Sequence, residues 1–213
     1  MTSAVLAFPA AVLTAAVYIF LGKYCKSRNE PPSGRAAFLI LSFFTSLAII
    51  IFAEAREIDA LCAFKQLAFL ILTAAMAVTD AKSCKIPDAF LVSAFVLRAA
   101  LIIPELLIYP ESALVTLAGE LLAAALTLAF FMIICFFFRG GVGSGDIKLY
   151  IAAALYLGGL GIFITVALSM TLTLIIFAIL FFAGKAARND RIPLVPGIYA
   201  GIIASIFITE MIK

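Results

Sequence analysis

Two aspartates are the residues of this sequence best placed to carry out chemistry. Asp80 closes an apolar run, and Asp146 ends the glycine-rich stretch RGGVGSGD at 139–146. The 213 residues include no histidine, which excludes Ser-His-Asp and Cys-His catalysis, HExxH zinc sites and imidazole proton relays. Acid–base chemistry therefore falls to carboxylates, lysines or tyrosines.

A pair of carboxylates at one membrane boundary can activate water. Two carboxylates side by side share a proton, because two like charges so close cannot both ionise in a poorly solvated place. The ionised member then activates water while the protonated member polarises the scissile carbonyl, as in aspartic proteases. Gly143 and Gly145 suit such a site, since a backbone without Cβ atoms bends freely and lets an extended substrate strand lie close.

Simpler interpretations of the same residues stay open. Asp80 alone fits a charge at the interfacial end of a helix, and Asp146 fits the N-cap of the next helix. Lys148 either holds the glycine loop and stabilises an ionised aspartate, or anchors the chain at the membrane surface. Ser144 lies four residues before Lys148, which permits a Ser–Lys nucleophile–base dyad, although the surrounding glycines argue against a helix at Ser144.

Membrane-spanning helices are the elements that must position these residues. The chain is 66% hydrophobic and 13% charged, whereas soluble domains average roughly 45–50% apolar and about 25% charged residues. A span needs about 20 apolar residues at a rise of about 1.5 Å per residue. Charge-free runs therefore predict an all-α, polytopic membrane protein of about eight transmembrane helices. The predicted spans are 2–22, 36–53, 62–79, 89–109, 112–138, two within 149–184, and 192–209.

One predicted run is long enough for two spans, and two other spans carry a charged residue. The run 149–184 is nearly twice as long as one span needs, and Gly158, Gly159 and Gly161 offer a turn that divides it into a sixth and a seventh span. The fourth and fifth spans carry Arg98 and Glu120. Because charges inside lipid usually pair, we expect a salt bridge between these two residues.

Basic residues indicate the orientation of the spans. Most of the 15 lysines and arginines lie in alternate links, which by the positive-inside rule places both termini outside the cytoplasm. If 149–184 were one helix, this alternation would fail. We therefore expect a multi-pass protein of the cell membrane, with Asp80 and Asp146 at the cytoplasmic face.

Three motifs follow one another along the chain: Asp80 with KIPD at 85–88, GGVGSGDIKL at 140–149, and IPLVP at 192–196. Together they resemble the type IV prepilin peptidases and the archaeal preflagellin peptidases, which share a GxGD aspartyl protease core. The resemblance covers about residues 66–209. Three motifs in this order are far more specific than GxGD alone.

This resemblance implies a membrane aspartic endopeptidase in which Asp80 and Asp146 are the catalytic pair. The residues expected to support the loop or the substrate are Gly143, Gly145, Lys148 and Pro87. The substrates would be prepilin-like or archaellin-like precursors, cut on the cytoplasmic side just before their hydrophobic N-terminal helix. We expect no cofactor, no metal and no nucleic-acid partner, and membrane lipid as the surroundings.

The cysteines bear on a second activity of such enzymes. Family members with N-methyltransferase activity carry a cytoplasmic loop with CxxC pairs. The four cysteines here, at positions 25, 62, 84 and 135, form no CxxC pair. We therefore expect a peptidase without N-methyltransferase activity.

The domain organisation follows from the motifs. We expect two N-terminal transmembrane helices with a basic cytoplasmic loop over 1–65, and a six-helix aspartyl protease-like core over 66–213.

A rival interpretation is a small ion- or proton-coupled transporter that uses the same aspartates, although transporter sites usually lie near the membrane midplane. A non-catalytic membrane assembly factor is a third.

Overall fold

Long apolar helices make up nearly all of the described chain. A computed structural model describes residues 2–27, 33–137, 143–184 and 193–212. Its helices are α1 (Thr2–Ser27), α2 (Ser33–Ala55), α3 (Ala60–Ser83), α4 (Asp88–Ile108), α5 (Pro110–Phe137), α6 (Ser144–Phe182) and α7 (Val195–Ile212). Each is long and apolar enough to cross a membrane. The prediction of an all-α, polytopic membrane protein is therefore confirmed.

The sixth helix folds back on itself at Gly158. This residue has φ 71° and ψ −171°, a backbone conformation that is essentially restricted to glycine. The hydroxyl oxygens of Tyr150 and Ser169 are 2.7 Å apart, whereas a continuous helix would separate residues so far apart in sequence by about 28 Å. Segments 144–157 (α6a) and 159–182 (α6b) therefore lie side by side, and the predicted division of this run is confirmed.

The first of these segments is short. At about 1.5 Å per residue, α6a is about 21 Å long, less than the roughly 30 Å of a hydrocarbon core. It begins at the end of the bundle that holds Asp146 and ends at Gly158. The described residues thus form eight helical segments, as many as the sequence predicts, and α6a is shorter than a full membrane span.

The central helix is α3, which is buried on all sides from Lys65 to Asp80. Its start is fixed by Asp59, whose carboxylate accepts hydrogen bonds from the N–H groups of Leu61 and Cys62 at 3.0 and 3.3 Å. Its end is fixed by Cys84, which adopts a left-handed conformation and donates its N–H to the carbonyl of Asp80. Asp80 therefore lies in the last turn of the most buried helix.

Four charged side chains form a buried ion cluster at the other end of α3. Lys65 Nζ lies 2.8 Å from Glu120 Oε1 and 3.1 Å from Glu105 Oε1, and Arg98 pairs with the same two glutamates. The predicted Arg98–Glu120 salt bridge is confirmed. Because the formal charges cancel and each carboxylate meets two cations, the cluster can sit in an apolar bundle, where it joins α3, α4 and α5.

The same arginine closes the broken end of α6a. Arg98 donates Nε–H to the carbonyl of Leu155 at 2.8 Å. In an unbroken helix this carbonyl would accept from Gly159, which lies beyond the break, and here it accepts from the guanidinium. The ring of Tyr156 stacks on that of Phe69 with centroids 4.4 Å apart, which also ties α6a to α3.

The N-terminal helices α1 and α2 pack against α3. Arg35 on α2 donates a hydrogen bond to the carbonyl of Gly22 on α1 at 2.8 Å, and Tyr199 on α7 donates one to Thr45 on α2 at 2.9 Å. The division into parts 1–65 and 66–213 stays a prediction.

The break at Gly158 generates a test of the fold. A Cβ at either Gly158 or Gly159 would meet no atom within 4 Å, but only Gly158 has a positive φ. We expect Gly158→Ala to destabilise the protein by about 1–3 kcal/mol through backbone strain alone. Gly159→Ala, which adds the same methyl group to a helical residue, should be neutral or stabilising. Thermal unfolding in detergent, followed by circular dichroism, measures both, and equal melting temperatures would contradict the assignment.

Candidate active site

Asp80 is held by the N-terminus of α7. The side chain is only 4% exposed, and its Oδ2 accepts a hydrogen bond from the backbone N–H of Val195 at 3.0 Å and another from that of Leu194. Leu194 accepts from the N–H of Ile198 at 3.1 Å, so it is the N-cap residue directly before α7. Asp80 therefore satisfies N–H groups that the first turn of a helix leaves without partners.

Asp146 is held by the start of its own helix. Gly143 is the N-cap of α6, and its N–H donates to the Asp146 carboxylate while its carbonyl accepts from Ile147 N at 3.2 Å. This reciprocal arrangement resembles the second half of a capping box. The alternative that Asp146 is itself the N-cap is wrong, because Asp146 lies three residues into the helix. The expectation of no helix at Ser144 is also wrong, since α6 begins there.

The two aspartates line one cavity of about 490 Å³ at one end of the bundle. They lie close enough for the charge of Asp80 to act on Asp146. The rest of the wall comes from the link between α3 and α4 at 84–89, from the first residues of α6a, and from Tyr24 of α1. Helices far apart in sequence thus bring both predicted catalytic residues to the same opening.

The two described glycines of the motif have different surroundings. A Cβ at Gly143 would lie 2.8 Å from Asp146 Oδ2, which is too close for two unbonded atoms. A Cβ at Gly145 would meet Ile86 at 3.5 Å, an ordinary van der Waals distance. The packing therefore requires glycine at 143 for the position of the aspartate, whereas at 145 it leaves room for a methyl group. Residues 140–142 lie outside the described parts of the chain.

Lys148 and Pro87 both line the cavity. Lys148 Nζ is 3.3 Å from Asp88 Oδ1, and both side chains are more than half exposed. Pro87 is the buried N-cap of α4, directly before Asp88. The Lys148–Asp88 pair therefore bridges the starts of α4 and α6a at the cavity rim. It directs the ammonium toward α4, which does not favour the Ser144–Lys148 dyad.

The site is equipped for hydrolysis by water. It has two neighbouring carboxylates, one almost fully buried and one half-buried, in a cavity large enough for a peptide strand and water. Within the described ranges, no group of three or more His, Cys, Asp or Glu side chains is arranged to hold a metal ion. The carboxylate pair itself is the chemically capable group.

The role of α7 as a source of hydrogen-bond donors to Asp80 is not visible in the sequence. The motif at 192–196 marks the right segment, but the groups that reach Asp80 are the backbone N–H groups of Leu194 and Val195. A backbone N–H has no signature in side-chain types. Only the spacing of the motif along the chain points to this segment. Residues 191 and 192 lie outside the described chain.

Comparisons with known proteins cover the same region. The type IV leader peptidase family matches residues 67–179, a range that includes both aspartates. A relative from Bacillus subtilis (strain 168), named prepilin leader peptidase/N-methyltransferase, is 29% identical over 199 residues. That alignment covers 92% of this chain and 75% of the relative. No solved structure matches the chain.

The contrast between the two glycines gives a test of the site. We expect Gly143→Ala to displace the Asp146 carboxylate and to lower the rate of peptide hydrolysis by about 10–100-fold, the cost of misplacing a reacting group by about 1 Å. Gly145→Ala should stay near the wild-type rate, because its new methyl group meets Ile86 at an ordinary distance. Initial rates on one peptide measure both variants. A larger loss in Gly145→Ala than in Gly143→Ala would contradict this geometry.

Proposed function

The chain belongs to the type IV leader peptidase family, and on this basis we propose that it is a membrane aspartic endopeptidase that removes leader peptides from prepilin-like precursors. The observation that carries the proposal is the meeting of Asp80 and Asp146. These residues end one helix and begin another, with α4 and α5 between them in sequence, and they line one cavity.

The proposed reaction needs only water and the two carboxylates. One ionised carboxylate takes a proton from water, whose oxygen attacks the carbonyl carbon of the scissile bond. The other carboxyl donates its proton to the carbonyl oxygen. When the tetrahedral intermediate collapses, the C–N bond breaks and the amine leaves with a proton from the first aspartate. The second aspartate recovers its proton from the intermediate.

The charges around the cavity favour a cytoplasmic opening. Lys23, Lys26, Lys82, Lys85 and Lys148 lie at or near the end of the bundle that holds the aspartates. By the positive-inside rule this end faces the cytoplasm. In the proposed complex, the leader of the precursor reaches the cavity from the cytoplasm as an extended strand. The hydrophobic helix that follows the cut stays in the lipid of the cell membrane.

We also propose that the chain lacks N-methyltransferase activity. The name of the Bacillus subtilis relative includes this second activity. In this chain, however, Cys25, Cys62, Cys84 and Cys135 form no CxxC pair. The proposal is therefore limited to peptide-bond hydrolysis on prepilin-like or archaellin-like precursors.

Hydrolysis is favoured over transport by the depth of the aspartates. Asp80 lies in the last turn of α3, and Asp146 lies in the first turn of α6. Coupling sites of transporters usually lie near the membrane midplane on broken helices. The broken helix here has its break at Gly158, at the opposite end of α6a from Asp146.

Replacement of each aspartate tests the proposal. We expect Asp80→Asn and Asp146→Asn each to lower leader cleavage by about 10²–10⁴-fold, because neither variant retains both the acid and the base. Co-expression with candidate precursors, scored by the gel shift that accompanies leader loss, measures cleavage.

Asp88→Asn is the matched control. Asp88 lines the same cavity, but its carboxylate is 80% exposed and pairs with Lys148 at the rim. This variant should cleave the precursor at a rate close to that of the wild type. Full cleavage by Asp80→Asn or Asp146→Asn, in protein that inserts normally, would contradict the carboxylate mechanism.

A further inference from the structure

The start of α7 contacts Asp80 but takes no direct part in the proposed reaction. The backbone N–H groups of Leu194 and Val195 both donate to Asp80, and the side chain of Val195 is fully buried. These two donors are consecutive, one on the N-cap residue and one on the first residue of the helix. An arrangement of this kind can hold a carboxylate in one place and in one charge state.

Close packing keeps this helix end in position. A Cβ at Gly197 would lie 2.5 Å from Thr173 Oγ1, and a Cβ at Gly201 would lie 2.9 Å from the carbonyl oxygen of Thr165. Glycines at these two positions therefore let α7 lie directly against α6b. With the helix fixed along its first two turns, its N-terminal N–H groups cannot drift away from Asp80 without a shift of the whole helix.

The two N–H donors stabilise the ionised form of Asp80 more than its protonated form. Hydrogen bonds from backbone N–H groups stabilise an ionised carboxylate more than a protonated one, and the positive end of the α7 dipole acts in the same direction. Asp146 also lies at a helix start, and among the described residues its carboxylate accepts from the backbone N–H of Gly143. Burial opposes ionisation of Asp80, and the second donor offsets part of that cost.

Other charged and titratable groups surround Asp80. Asp146 on α6a faces it across the cavity and disfavours a second negative charge. The rim pair Lys148–Asp88 is neutral overall and largely exposed, so water screens it. The other titratable groups of the cavity wall in the described parts of the chain are Tyr24 of α1, and Cys84 and Lys85 of the link between α3 and α4. Two consecutive N–H donors in contact with Asp80 act at shorter range than the rim charges.

We propose that the backbone N–H groups of Leu194 and Val195 hold Asp80 as the ionised member of the pair. This inference rests on the proposed peptidase function and assigns its two roles. Asp80 takes the proton from water as the O–C bond to the substrate carbonyl forms. Asp146 holds the shared proton and donates it to the carbonyl oxygen. Leu194 and Val195 are positioning residues, because they act through Asp80 and not on the substrate.

A proline substitution isolates one of these donors. Val195→Pro removes the N–H that lies 3.0 Å from Asp80, at the first position of a helix, where proline is well tolerated. Val195→Ala retains the N–H and removes only methyl groups, so it controls for lost packing. We compare the pH dependence of kcat/KM for cleavage of a precursor peptide by wild type and both variants in detergent.

The expected result is a shift of one limb of the pH profile. With one donor to the ionised form removed, the acidic limb of Val195→Pro should move to higher pH by about one unit, the typical effect of a hydrogen bond to a charged group. The basic limb should keep its place. Val195→Ala should keep the wild-type position of both limbs, whatever its rate. A purely structural role would lower the rate without moving either limb.

Two outcomes overturn the inference. An acidic limb of Val195→Pro that coincides with that of Val195→Ala shows that the donor does not set the charge of Asp80. A shift confined to the basic limb shows that Asp80 is the protonated member. If Val195→Pro does not accumulate, Leu194→Pro is used in its place, because it removes the second donor. Its acidic and basic limbs in the pH profile of kcat/KM are compared in the same way. A wild-type protein that cleaves no precursor overturns the peptidase proposal itself, which separates the two failures.

Discussion

A carboxylate inside an apolar bundle needs hydrogen-bond donors, and in this protein the starts of helices supply them. Asp80 accepts from the first backbone N–H groups of α7, and Asp146 accepts from Gly143 at the start of α6. The places where α6 and α7 begin therefore determine where two carboxylates can be buried side by side.

At the opposite end of the bundle, the buried ion cluster holds the two helices that carry the aspartates. α3 has Asp80 near one end and Lys65 near the other, and α6a has Asp146 near one end and a carbonyl capped by Arg98 near the other. Lys65 and Arg98 bind the same two glutamates, so both helices that carry an aspartate are tied to one cluster. Each of these helices is thus held at both ends.

Much of this arrangement can be predicted from the sequence, because its determinants are side-chain types and spacing. Charge-free runs locate the helices, a group of glycines locates the turn at Gly158, and the rarity of charges in lipid predicts the Arg98–Glu120 pair.

Other parts of the arrangement are harder to predict. Lys65 and Glu105 are difficult to assign to the ion cluster, since charges near span ends usually face water. The helix start at Ser144 is masked by low helix propensity of glycine, which the hydrogen bond between Gly143 and Asp146 overcomes. The donors at the start of α7 are backbone groups, invisible to any argument from side chains.

In the proposed mechanism a carboxylate pair, and not a serine activated by a lysine, cuts the peptide bond. The pH dependence of precursor cleavage by the wild type and by Ser144→Ala tests it most directly. A pair that needs one ionised and one protonated carboxyl gives a rate that falls on both sides of an optimum. We expect such a bell-shaped profile, unchanged in Ser144→Ala. A rate that climbs steadily into the alkaline range and is lost in Ser144→Ala would contradict it.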